Sequence, residues 1–133
     1  MLPAVSAAQE PAAPAAPVLT INGAAAIVTL LIKPDKTADF DLVLAKLKEA
    51  LANSTNPQRK EQAAGWKVFK SAPIQGNAVY IMRIDPVIKG AEYDLTRLIA
   101  EVFPVEVQDL FEKYKGAFAG RQILELAPFM TMQ

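Results

Sequence analysis

The chain has 133 residues, 52% of them hydrophobic, and its 14 basic and 14 acidic side chains cancel to a formal charge of zero. That size predicts one domain with a real core, and the lack of any basic block removes the electrostatic footprint of a nucleic-acid binder. With neither His nor Cys in the sequence, a disulfide scaffold, thiol catalysis and the most legible metal sites are excluded, and no cofactor is implied.

The first residues, Met1-Leu2-Pro3-Ala4-Val5-Ser6-Ala7-Ala8-Gln9, read as the end of a secretory signal peptide. Val5-Ser6-Ala7 places small residues where a signal peptidase wants them. The alternative is a plain Ala-rich leader. The first reading makes the protein an exported one, periplasmic or secreted. Pro11, Pro14 and Pro17 follow among alanines, a spacing that favours an extended polyproline-like spacer. Residues 1–23 are therefore assigned to a flexible leader and residues 24–133 to a single domain.

Residues 24–32 form a first strand, with Ile27 and Leu31 on one face and Val28, Leu30 and Ile32 on the other. It is also the longest apolar run, far below the roughly 18 residues of a membrane span. Lys33-Pro34-Asp35 ends it. Thr37 is placed to cap a helix whose core face is Phe40, Val43, Leu44, Leu47 and Leu51. Residues 53–62 are read as a polar loop. Asn53-Ser54-Thr55 fits a glycosylation acceptor pattern but is taken as loop chemistry.

Trp66 to Ser71 and Ala78 to Asp85 predict a hairpin, with Pro73, Gly76 and Asn77 supplying its turn. Asp85-Pro86 ends the third strand. Residues 92–103 carry Leu95, Leu98, Ile99 and Val102 at helical spacing until Pro104 interrupts. A second helical piece covers roughly 105–118, and Arg121 to Ala127 forms the last strand. The order predicts an α+β, ferredoxin-like split β-α-β domain: a four-stranded antiparallel sheet with helices on one face.

Three of the four strands are apolar on both faces. Val79 and Ile81 oppose Tyr80, Met82 and Ile84, and Ile123 opposes Leu124 and Leu126. Helices on one side cover only one face, and the other would expose more apolar surface than monomers usually tolerate. A homodimer packed sheet to sheet about a two-fold axis is the expected solution.

The element order, the Gly65-Trp66 pair opening the second strand and the Asp85-Pro86 pair after the third resemble the dimeric α+β barrel superfamily. Within it, residues 24–127 are most similar to the small antibiotic-biosynthesis-monooxygenase-like domains. The resemblance implies a dimeric barrel and a cavity between helices and sheet. Families of this fold include cofactor-independent monooxygenases, haem-degrading enzymes, lactone isomerases and members with no known activity, so fold does not carry function. Haem-binding members use a histidine ligand that this chain lacks. Cofactor-free monooxygenases of the fold use a Trp, Tyr, Asn and Arg set on an aromatic substrate, and Trp66, Tyr80, Asn77 and Arg83 supply those residue types.

Each candidate also has a structural reading. Trp66 either stacks on a flat ligand or is a core aromatic. Tyr80 is either a pocket hydroxyl or a packed ring with its hydroxyl at a rim. Arg83 either meets a ligand carboxylate or pairs with Asp85 or Glu125. Tyr93 is placed over a cavity mouth or in structure. The leading expectation is a binding domain that holds a small apolar ligand in the helix–sheet cavity. The alternatives are a cofactor-independent oxygenase acting on an aromatic or quinone-like molecule, and a structural module that uses its dimer surface and the apolar tail 129–133.

Overall fold

The computed structural model describes residues 16–133. The signal-like Val5-Ser6-Ala7 and most of the proline-rich spacer lie outside the described residues. The elements run β1 (Ala25–Ile32), α1 (Thr37–Asn53), α2 (Pro57–Ala64), β2 (Trp66–Ile74), β3 (Asn77–Ile84), α3 (Leu95–Val102), α4 (Val107–Ala117) and β4 (Phe118–Leu126). The strands make one antiparallel sheet in the order β2-β3-β1-β4. This is an α+β fold compatible with the ferredoxin-like split β-α-β.

Period-two alternation divides the sheet as its sequence predicts. One face carries Ala26, Val28, Leu30 and Ile32 of β1 with Tyr80, Met82 and Ile84 of β3, all buried. Phe40, Val43, Leu47 and Leu51 of α1, Leu98 and Ile99 of α3 and Leu110 of α4 pack into the same core. The opposite face carries Ile27, Thr29 and Leu31 of β1, Val79 and Ile81 of β3, Phe69 of β2 and Leu124 and Leu126 of β4. Among the described residues no helix lies over it, and Phe69 and Leu124 stand about half exposed, at 49% and 48%.

Several local details depart from the sequence reading. Thr37 does not cap α1: a 3-10 turn over Pro34–Lys36 leads straight into it and no side chain caps its start. The polar stretch 53–62 is not all loop. Asn56 accepts a hydrogen bond from Gln58 N–H at 3.0 Å, Pro57 takes the first helical position, and α2 runs to Ala64. The hairpin turn is Gln75-Gly76, whose φ values of 51° and 79° fit a two-residue primed turn. Asn77 is thus not a turn residue; it pairs with Ile74 as β3 begins. Pro73 sits inside β2 where the register shifts between Ser71 and Ile74, which an edge strand tolerates because its outer N–H groups have no ladder partner to lose.

The domain body also takes in Val18–Gly23, a stretch the sequence assigns to the leader. Ile21 is buried in the core. Tyr93 N–H donates to the Leu19 carbonyl at 2.8 Å, and Asn22 and Gly23 N–H donate to Glu125 Oε1 at 2.7 and 2.8 Å. Among the described residues, no helix is long and apolar enough to cross a membrane.

Candidate functional site

The two dipeptides that carry the family resemblance meet in space. The Gly65 carbonyl accepts Asp85 N–H at 2.8 Å, and Trp66 pairs with Ile84 across the β2–β3 ladder. A Cβ at position 65 would stand 2.9 Å from the Asp85 carbonyl oxygen. Only glycine lets the chain leave α2 and enter β2 so close to the Asp85-Pro86 corner. That corner fixes where Trp66 starts the strand, on the helix-covered side of the sheet.

Trp66 is half-buried and packs against Tyr93, with ring centroids 5.3 Å apart. Its Nε1 is buried and finds no hydrogen-bond acceptor among the described residues. Inside the domain, between sheet and helices, the space beside Trp66 is about 20 Å³. That is room for about one water molecule. The side chains have filled the interior where the sequence reading puts a ligand cavity.

Room for a ligand lies instead at the sheet edge. Leu44, Ala45, Leu47, Lys48 and Leu51 of α1, Ala63 of α2 and Trp66 and Val68 of β2 line an open groove of about 460 Å³. Its origin is topological. α1 recurs with apolar residues at three- and four-residue spacing, but its buried stripe serves the sheet centre, over β1 and β3. Over edge strand β2 the helix layer is thin, so the inward residues Trp66 and Val68 form a floor with no roof. The lining side chains are apolar except for Lys48.

A second cleft of similar size, about 460 Å³, lies on the other side of α2 and has the opposite chemistry. Arg59 is buried and grips Glu101 with two bonds, Nε to Oε1 at 2.9 Å and Nη2 to Oε2 at 2.7 Å. Its Nη1 donates to Gln62 Oε1 at 2.7 Å, and Gln62 Nε2 donates to the Glu92 carbonyl at 2.7 Å. The Glu92 carboxylate in turn accepts Val18, Leu19 and Asp94 N–H at 2.8, 2.9 and 3.0 Å. Burial alone would raise the pKa of Glu92, but these three donors and the Arg97 charge outweigh it and hold the carboxyl below its usual range. Polar groups here satisfy one another. The sequence reading missed this network; the readable signal was Asn56-Pro57, a helix start that puts Arg59 and Gln62 on one helical face three residues apart.

The structure brings together only two of the five sequence candidates, Trp66 and Tyr93. Tyr93 is not at a cavity mouth: it is buried in the core, its hydroxyl accepting Ile88 N–H at 2.9 Å. Tyr80 is buried on the same sheet face but turned to α1, donating to Asp41 Oδ1 at 2.6 Å with its ring edge-on to Phe40. Burial first, then the Asp41 carboxylate, push that phenol's pKa up. Arg83 is exposed on the opposite face and pairs with Asp85 at 3.4 Å, the partner its sequence position suggests. Asn77 stands at the far end of β3, by the hairpin turn. Comparisons with family models, with curated proteins and with solved structures find no match.

Proposed function

We propose that this chain is a small-ligand-binding domain that holds an apolar ligand in the groove between α1, α2 and edge strand β2, and that it works as a homodimer joined through the open sheet face. The observation that carries the binding reading is the groove itself. Its volume falls within the roughly 300–1,000 Å³ of ligand sites, its walls are Leu44, Leu47, Leu51 and Val68, and an indole forms part of its floor. An oxygenase would want polar groups converging on one spot. Trp66, Asn77, Tyr80 and Arg83 are spread over two sheet faces and both ends of β3, which favours a carrier over a catalyst.

The dimer rests on the uncovered face. Phe69, Leu124 and Leu126 would stay in water in a lone domain, and face-to-face pairing of two copies removes them from it. The resemblance to dimeric α+β barrel domains points the same way. The tight joint between Gly65-Trp66 and Asp85-Pro86 supports that resemblance by giving its two dipeptides one structural role.

The two parts have separate tests. N-phenyl-1-naphthylamine, a neutral apolar dye, should brighten on adding the protein and accept energy from Trp66, the single tryptophan of the chain. Ala63→Phe, at an exposed position on the groove wall, should abolish that signal without unfolding the domain. A dye signal untouched by Ala63→Phe would place binding elsewhere. Sedimentation velocity should give a dimer, and Ile81→Glu a folded monomer; a monomeric parent would overturn the assembly.

A further inference from the structure

Lys48 is the charged member of the groove lining, and α1 leaves it without a counter-ion. Its neighbours at three and four residues are Ala45, Leu44, Leu51 and Ala52, so no carboxylate stands at helical reach. It makes no ion pair among the described residues, whereas Lys46 is held by both Glu49 and Glu106 at 3.1 and 3.0 Å. In the polar cleft beside α2, Arg59 is held by Glu101 and Arg97, among the described residues, reaches only the Ala16 carbonyl, at 3.5 Å; in the apolar groove Lys48 is the one cation of the lining.

We infer that the ligand of this groove is a small amphiphile with a single anionic head, its apolar body lying on Leu47, Leu51, Trp66 and Val68 and its head at the Lys48 ammonium. This rests on the groove being the binding site. An apolar wall with one cation at its rim selects such a molecule by two independent terms. Burial of the body supplies affinity in proportion to apolar area. The charge supplies orientation and discrimination against neutral and cationic analogues. The unpaired ammonium loses no existing partner when the head arrives, so the new ion pair has nothing to displace but water.

Dodecanoate and dodecanol share one chain and differ in the head, which isolates the claim. Each is titrated into the full chain below its aggregation limit, following the emission of Trp66, which shifts to the blue as groove water leaves. Dodecanoate should bind roughly 3- to 5-fold more tightly than dodecanol, the worth of one rim ion pair, and the preference should contract in 1 M salt. Lys48→Gln should erase the preference while dodecanol affinity stays, and Lys48→Glu should turn it toward dodecylammonium. Equal binding of acid and alcohol by the parent would overturn the inference and leave the groove standing. A preference that survives Lys48→Gln would overturn it as well. No response of Trp66 to either compound would bring down the groove and the inference together.

Discussion

Two clefts of the same volume flank helix α2, and they differ in what they leave unsatisfied. On one side Arg59 is held by Glu101 and Gln62, and the Glu92 carboxylate accepts three backbone N–H groups. On the other, Leu44, Ala63, Trp66 and Val68 leave apolar surface open to water beside Lys48, which makes no ion pair among the described residues. A cleft lined with charged residues is commonly taken for the functional one. Here the polar cleft acts as a clamp that ties α2, α3 and residues 18–19 to one another through the 92–94 segment, and an ion pair already made has little to offer a ligand. The apolar groove has free energy still to gain by being filled.

The comparison breaks first if the clamp proves dispensable. Arg59→Met leaves Glu101 to water and Gln62 without its donor and should cost about 2 kcal/mol in urea unfolding, while dye binding by the folded fraction persists. Glu92→Gln should cost about 2 kcal/mol at neutral pH, since a neutral amide is a weaker acceptor for three backbone N–H groups. The sign of its pH dependence follows from the lowered pKa. The carboxylate's contribution is fully present above its unfolded value near ~4.3 and is lost as pH falls through the lower folded value. The gap between parent and Glu92→Gln, measured by denaturant melts at several pH values, should therefore narrow below about pH 4.

The groove side predicts smaller effects on stability and larger ones on binding. Trp66→Phe gives up packing against Tyr93 but also deletes a buried donor without an acceptor. The two partly offset, and thermal melts should show a loss near ~1 kcal/mol. Ala63→Phe changes an exposed helix residue and should move stability by less than about 0.5 kcal/mol, while weakening dye binding at least tenfold by occupying the space. If Ala63→Phe were strongly destabilising, the groove would be part of the core and the distinction between the two clefts would fail.

Much of the frame was legible in the residues because it rests on period. The alternation of Val28, Leu30 and Ile32 against Ile27 and Leu31 assigns both faces of β1, and the same holds for Tyr80, Met82 and Ile84 against Val79 and Ile81. The α1 stripe from Phe40 to Leu51 was readable for the same reason. Helix α2 was not, because its buried residues are Arg59 and Gln62. A polar inward face carries no hydrophobic rhythm, and its stability comes from partners 30 and 42 residues away in sequence. Tyr80 was singled out for its hydroxyl and Tyr93 for a place over a cavity mouth, yet each phenol is occupied by a partner that only tertiary contact supplies. Trp66, singled out for its place beside Gly65 at the start of β2, lines the apolar groove at the sheet edge. The ligand space itself was expected inside the helix–sheet layer. The widest open apolar space instead lies at the edge, over β2, where the helix layer is thin, a matter of layer width that no local pattern encodes.

The most direct test of the groove is an NMR titration read at one atom. The chain has one tryptophan, so its spectrum has one indole N–H cross-peak, from Trp66 Nε1. Titration with dodecanoate should move that peak together with the backbone amides of Leu47, Leu51, Ala63 and Val68, and leave Arg59, Gln62 and Glu92 unmoved. Shifts centred on Arg59 and Glu101, with the indole peak still, would show that the polar cleft is the site and that the reading of the two clefts is the wrong way round.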